Sequence, residues 1–289
     1  MSNILKSVPS EFAIYTEWPE FNQQFKFTKI MHPEYIGDPR GFKRRLGPLC
    51  VETYITDREP QVVREKTDTL IRIIIWQPLV RRDIPSDWST NTFVIKTFHH
   101  LIENKIGLAL LSKTKKYYDL WAPQEQRRRR TWMKESEKGL YDIISLSTDE
   151  FWNYYSKSET WKKINSFDRE IIRFKMDSDI GKSPTIRYRC VVDKSNNSIV
   201  AGLASIYSPS CRAVYYFIPF LYIEGHGKAV MTGLIDDLFQ FAESMKCSNV
   251  QFGQFWTKGR PDNWRGFSEF KAKFCTDFIE FPPALVKFI

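Results

Sequence analysis

Hydrophobic positions along the chain fall either into short runs of strand length or into longer segments where they recur every three or four residues. In the N-terminal half, CVETYIT from Cys50 and TLIRIIIWQP from Thr69 carry the strand pattern. The turn-rich RRDIPSDWST at 81–90 supplies Ser and Thr N-caps for a helix over about 91–103, and a strand, GLALLS, opens at Gly107. The C-terminal half repeats this order. SIVAGLASIY and CRAVYYFIPFLYI read as strands, 228–245 as a helix, and NVQFGQF as the next strand. Within that helix Val230, Leu234, Leu238, Phe241, Ala242 and Met245 recur at spacings of three and four, so one face packs on a sheet. The repeated order predicts an α/β chain of two related subdomains, each a mixed twisted sheet flanked by helices.

Three segments carry candidate chemistry. Between the second C-terminal strand and its helix lies Glu224-Gly225-His226-Gly227-Lys228-Ala229. A glycine loop there aims backbone N–H groups and the positive end of the helix dipole at an anion, and Lys228 adds charge. Glycines also simply make tight turns, so the loop serves either purpose; His226 reads as a loop residue. The second segment is the run Arg127-Arg128-Arg129-Arg130 in a helix that Pro123 opens. At ~100° per residue, Arg127, Arg130 and Lys134 share one face, while Trp121, Arg128 and Trp132 share another. Forked guanidinium donors suit phosphate oxygens, and a solvated basic helix anchored by tryptophans fits equally well. In the third segment Lys271 and Lys273 alternate with Phe270 and Phe274, on one side of a strand or in the first turn of a helix. Either lysine could stabilise charge on a donor phosphate or an oxyanion, or protect a sheet edge. Asp262, Tyr215 and Tyr216 read as structural rather than as base or acid.

Composition narrows the class without naming the reaction. The 289 residues, 42% hydrophobic and 15% aromatic, support a packed core of one large or two modest domains. No apolar run reaches the ~18 residues of a membrane span, and MSNILKSVPSEF lacks the charged-then-apolar order of a secretion signal, so a cytoplasmic protein is expected. Five scattered cysteines suggest neither a disulfide framework nor a zinc site, and His99 and His100 have no metal-ligand spacing. The net charge of +9 gathers at Lys43–Arg45, Arg81–Arg82, Lys113–Lys116 and Arg127–Arg130, which favours polyanionic partners but is also a common solubility feature.

The order strand, strand, glycine loop, helix, strand resembles the GNAT acyltransferase superfamily, where a Gln/Arg-x-x-Gly-x-Gly/Ala loop holds the pyrophosphate of acyl-coenzyme A. Gly227 and Ala229 occupy the two small positions and Glu224 replaces Gln or Arg. The segment Trp264-Arg265-Gly266-Phe267-Ser268-Glu269-Phe270-Lys271-Ala272-Lys273-Phe274 is similar to the aromatic-Lys tail of the Fem-type branch, the FemAB/FemX peptidoglycan-bridge aminoacyltransferases. So is the basic helix that ends at Lys138-Gly139, followed by a strand and by the helix start Ser147-Thr148-Asp149-Glu150. The resemblance implies two GNAT-like lobes, one over 1–121 completed by about 277–289, the other over 122–276. It implies an N-acyltransferase that uses aminoacyl-tRNA or acyl-CoA as co-substrate, with no tightly bound cofactor and no metal. The acceptor would be an amine, on a cell-wall precursor, a peptide or a small molecule. Lys271 falls at the family's lysine, with Lys273 two residues on. Gly225, Gly227, Lys228 and Ala229 would bind the donor, and Arg127, Arg128 and Arg130 a phosphate or tRNA. A non-catalytic tRNA- or RNA-binding module on a degenerate GNAT scaffold is the alternative.

Overall fold

In the computed structural model the described residues are 3–5, 34–35, 41–56, 59–60, 71–78, 83–97, 105–112, 114–164, 169, 186–258, 260 and 262–289. The first part of the chain supplies β1 (Asn3–Leu5), β2 (Glu34–Tyr35), β3 (Gly41–Leu46), β4 (Leu49–Thr56), β5 (Ile71–Pro78), α1 (Thr92–Thr97) and β6 (Lys105–Leu110). There follow α2 (Pro123–Glu137), β7 (Tyr141–Ser145), α3 (Thr148–Tyr155), α4 (Glu159–Lys163), β8 (Ile186–Asp193), β9 (Ser198–Ser208) and β10 (Ala213–Leu221). The last part adds α5 (Val230–Ser244), β11 (Asn249–Gln254), α6 (Trp264–Ala272), β12 (Asp277–Glu280) and β13 (Leu285–Phe288).

These strands build two mixed sheets. The larger has the order β1-β12-β6-β11-β10-β9-β8-β7 and the smaller β13-β5-β4-β3-β2. Pairing is antiparallel except at β1–β12, β10–β11 and β4–β5. The chain crosses between the sheets: β6 lies between β12 and β11 in the larger, while β13 returns to pair with β5 in the smaller. A hydrogen bond from Gln77 Nε2 to Pro282 O, 2.7 Å, marks that return. Among the described residues no helix is long and apolar enough to cross a membrane. His99, His100, Arg81, Arg82 and Lys113 lie outside the described residues.

Helices cover both faces of the larger sheet around the long strand β9, most of which is buried. On one face α5 buries Leu234, Ile235, Leu238 and Phe239 in one cluster with Val200, Val214 and Val250. Each such side chain contributes about 1.5–3 kcal/mol. α2 lies against α5 at Gly233, where a Cβ would stand 2.3 Å from Trp132 Cδ2. The bare backbone is what allows the indole, and with it the arginine-bearing helix, to approach. On the opposite face Phe151 and Tyr155 of α3 pack with Tyr188, Ile206 and Phe220.

The helix boundaries follow from local chemistry. α3 opens with a capping box: Glu150 N–H donates to Ser147 Oγ at 3.3 Å, and Ser147 N–H donates to Glu150 Oε2 at 2.8 Å. α2 ends in a Schellman motif, with Gly139 at φ +71, its N–H donating to Ser136 O and the Leu140 N–H donating to Glu135 O. α5 starts at Val230, two residues later than the sequence expectation, because Gly227 at φ +77 still belongs to the turn. The strand alternative for Lys271 and Lys273 gives way to a helix: Lys271 lies in the last turn of α6 and Lys273 caps it. Residues two apart on a helix point in divergent directions, so the two lysines part company.

All five cysteines are free, with Cys50, Cys190, Cys247 and Cys275 buried and Cys211 partly exposed. Burial pushes the thiols of Cys190 and Cys275 far up, and that of Cys247 to about 11. The native protein is therefore expected to take up about one equivalent of iodoacetamide at pH 8, at Cys211, with the rest reacting only in denaturant. Mass spectrometry of timed samples reads this directly; rapid labelling at Cys190 would contradict the burial.

Candidate active site at the fork of two parallel strands

β10 and β11 are parallel neighbours for a short stretch only. Ala213, Val214 and Tyr215 pair with Asn249, Val250 and Gln251, and the register stops there although β10 runs on to Leu221 and β11 to Gln254. An irregularity between Tyr216 and Ile218, in the pairing of β10 with β9, coincides with the divergence. A bulge bends its strand, and this one turns β10 away from β11. The fork opens at the carboxyl ends of both strands. That end is where ligands bind in open α/β sheets and where the following helices present their N-termini.

At the mouth, β10 passes through the 3₁₀ turn Ile223–Gly225 into α5. The N-cap of α5 is Ala229, which has no side-chain oxygen, and the first turn holds no acid. The leading N–H groups of α5 thus keep their positive end uncapped by a side chain. At the fork itself Tyr216 is buried, 5.4 Å from the Phe252 ring and 6.4 Å from the Phe267 ring between centroids. Its hydroxyl has no partner among the described residues. Burial, and to a lesser degree Tyr215, raises its pKa far above that of free tyrosine, so the hydroxyl keeps its proton. Lys271 reaches across from α6: its ammonium donates to Phe252 O at 2.8 Å and to Gln254 O, and sits 4.8 Å from the Phe267 ring centroid. Phe267 itself is 43% exposed. The fork therefore gathers a buried hydroxyl, a buried ammonium and aromatic side chains beside two strands that no longer pair with each other.

The other residues singled out in the sequence divide between this place and α2. Gly225 is buried, and a Cβ there would lie 2.6 Å from Leu221 Cδ1 and 2.8 Å from Val200 O, so packing dictates it. Gly227 has open space around it, so its positive φ is the reason for glycine. Lys228 leans away from the fork toward β7 and β8, with Nζ 3.2 Å from Asp193 Oδ2 and 5.5 Å from the Tyr141 ring centroid. Arg127 and Arg130 are exposed on α2 with Lys134, as the helical spacing predicts. Arg128 and Lys273 meet at the buried carboxylate of Glu125, at 3.6 and 3.5 Å, and Glu125 Oε2 accepts a hydrogen bond from Thr232 Oγ1 at 2.7 Å. Thr232 belongs to the first turn of α5, so the charges of Arg128 and Lys273 meet just beside that helix start.

Two features of the site go beyond the sequence reading. Tyr216, read as structural, is buried on the same face of β10 as Val214, with its hydroxyl unpartnered among the described residues. Arg129, the member of the arginine run not singled out, bonds the buried Asp236 carboxylate, which also accepts the Tyr117 hydroxyl at 2.7 Å and Gln240 Nε2 at 2.9 Å. The signal was the acidic pair Asp236-Asp237 inside an otherwise apolar helix, which demands a cation nearby.

No family model matches the chain, and no curated protein matches it. Solved structures do. FemX aligns over 89% of this chain and 87% of its own, with a TM-score of 0.56 at 7% identity. A conserved protein of unknown function from Bacteroides thetaiotaomicron aligns over 88% of this chain and 83% of its own, with a TM-score of 0.51 at 9% identity. L-PGS from Bacillus licheniformis aligns over 88% and 85%, with a TM-score of 0.45 at 12% identity. Such identities speak for backbone arrangement alone, and in that arrangement the chain shares the fold of FemX.

Proposed function

We propose that this chain is an N-acyltransferase that moves an acyl or aminoacyl group from a phosphate-bearing donor, aminoacyl-tRNA or acyl-CoA, to an amine. The observation that carries the reading is the fork: two parallel strands diverge after three paired residues, beside an α5 start without a side-chain cap. Donor phosphates bind at the loop of Gly225, Gly227 and Ala229, and the acyl arm lies between β10 and β11, where the two strands have parted. The amine attacks the carbonyl directly, forming C–N and breaking C–S or C–O. The proton lost by nitrogen passes to the departing sulfur or ribose oxygen, so no covalent enzyme intermediate is needed. Tyr216 donates to the developing oxyanion and Lys271 adds positive potential. Acceptors on peptides or cell-wall precursors fit the likeness in fold to FemX.

Calorimetric titration with acetyl-coenzyme A and, separately, with charged and uncharged tRNA tests the donor. Gly227→Val forces a β-branched residue to φ +77 at the mouth and is expected to weaken the true donor by about tenfold or more. Indifference of both donors would end the acyltransferase reading. The exposed Arg127, Arg130 and Lys134 favour RNA as a second reading; charge-independent tRNA binding that falls steeply with salt, without turnover, would then replace the first.

A further inference from the structure

α6 has a second working face. Phe267 and Lys271 turn toward the fork, while Arg265 and Glu269, one turn apart, line an open cleft of about 370 Å³ on the other side of the helix. The cleft walls are aromatic: Phe255, Trp256 and Phe278, with Lys105 at the margin. Phe255 separates the two places, since the Lys271 ammonium sits 4.5 Å from its ring centroid.

The charges in this cleft are unequal in availability. Lys105 is engaged, with Nζ 2.9 Å from Glu280 Oε1 and 4.6 Å from the Phe278 ring centroid. Arg265 holds its guanidinium 4.3 Å from the Trp256 ring and has no carboxylate partner among the described residues. Glu269 likewise has no cationic partner among them. Two opposite charges at i and i+4 would ordinarily close on each other; here stacking on the indole holds Arg265 apart. The wall also contains an orphan donor, because the Trp256 indole N–H is shut from water with no acceptor among the described residues. The backbone is fixed nearby, since Trp256 N–H donates to Ser268 Oγ at 2.7 Å. An unpaired cation, an unpaired anion and an apolar floor in one cleft match a ligand that carries a carboxylate, an ammonium and an apolar side chain.

We infer that this cleft is a binding site for a zwitterionic amino acid, or for a short peptide with both termini free. Arg265 takes the carboxylate, Glu269 the ammonium, and Phe255 and Phe278 the side chain. The Trp256 ring, stacked by Arg265, forms the wall beside the bound carboxylate and so reports its arrival. This binding does not depend on acyl transfer and holds whichever donor the fork accepts.

The test is an NMR titration of the full chain that follows the Trp256 indole resonance, assigned with Trp256→Phe. The probes are L-phenylalanine, L-phenylalaninamide and N-acetyl-L-phenylalanine. The zwitterion is expected to bind saturably, and each capped probe to bind about tenfold more weakly or worse. Arg265→Gln should remove the preference for acid over amide, and Glu269→Gln the preference for free over acetylated amine. Both positions are exposed, so unchanged unfolding midpoints will show that the fold is intact. Absence of saturable shifts, or affinities indifferent to capping or to the two variants, would overturn the proposal.

Discussion

Replacing Lys271 with methionine is expected to lower acyl transfer by about 10²-fold or more and to cost about 2–4 kcal/mol of folding stability. The side chain is 3% exposed and packs against Phe255 and Phe267, so methionine keeps the volume and the aromatic contacts. What it loses is the donor to Phe252 O and Gln254 O, on the strand that has just left its parallel partner. Those carbonyls lie where water is scarce, and an acceptor stranded there costs its desolvation. Because instability alone can depress a rate, a second variant is needed. Tyr216→Phe removes a hydroxyl that has no partner among the described residues, so stability should hold or rise slightly while the rate falls about tenfold or more. Urea melts and single-turnover rates on both variants separate the two effects. A full rate in Tyr216→Phe would remove that hydroxyl from the mechanism. Loss of stability without loss of rate in Lys271→Met would make the lysine a strand clasp and nothing more.

Much of the fold was legible because periodicity is a local property. β4, β5, β9, β10 and β11 coincide with the alternating or unbroken apolar runs, and α5 with its three-and-four spacing. The fork was not legible, since register between β10 and β11 depends on which residues meet across space. The Phe270–Phe274 segment holds too few residues to separate a period of 2 from one of 3.6, and only the packing of Lys271 on β11 decides for a helix. Spacing placed Arg127 and Arg130 on the exposed face of α2, but it could not set Arg129 apart as the arginine that meets Asp236. Four identical residues carry no contrast, and the phase of α2 is set by Trp132 resting on Gly233 of another helix. Alternation also hid Glu52. It sits at a polar position of CVETYIT yet is fully buried, held by Arg72 at 2.7 Å and by the Tyr54 hydroxyl at 3.0 Å. A buried charge can be inferred from sequence only when its partner is also recognised.

Asp236→Ala is expected to be the most destabilising change at the interface of α2 and α5, at about 3–5 kcal/mol. The carboxylate is 1% exposed and binds Arg129, Tyr117 and Gln240 together. Removing it leaves a guanidinium half-buried over the Tyr118 ring, at 4.0 Å, and a buried phenol without an acceptor. Most of the loss comes from the stranded partners rather than from the missing attraction, and that distinction can be measured. If it is right, the triple variant Asp236→Leu, Arg129→Leu, Tyr117→Phe regains most of the stability, since well-packed apolar groups often match a buried ion pair. Urea unfolding of the single and triple variants reads both quantities. Donor affinity reads a third, because the α2 clamp holds α5 along the turns that lead back to its uncapped start. Recovery of stability without recovery of donor binding would mean that the polar network sets the position of α5, and apolar packing alone does not. A cost below about 1 kcal/mol for Asp236→Ala would show that α5 is held by its apolar face alone, with Arg129 free to serve a ligand.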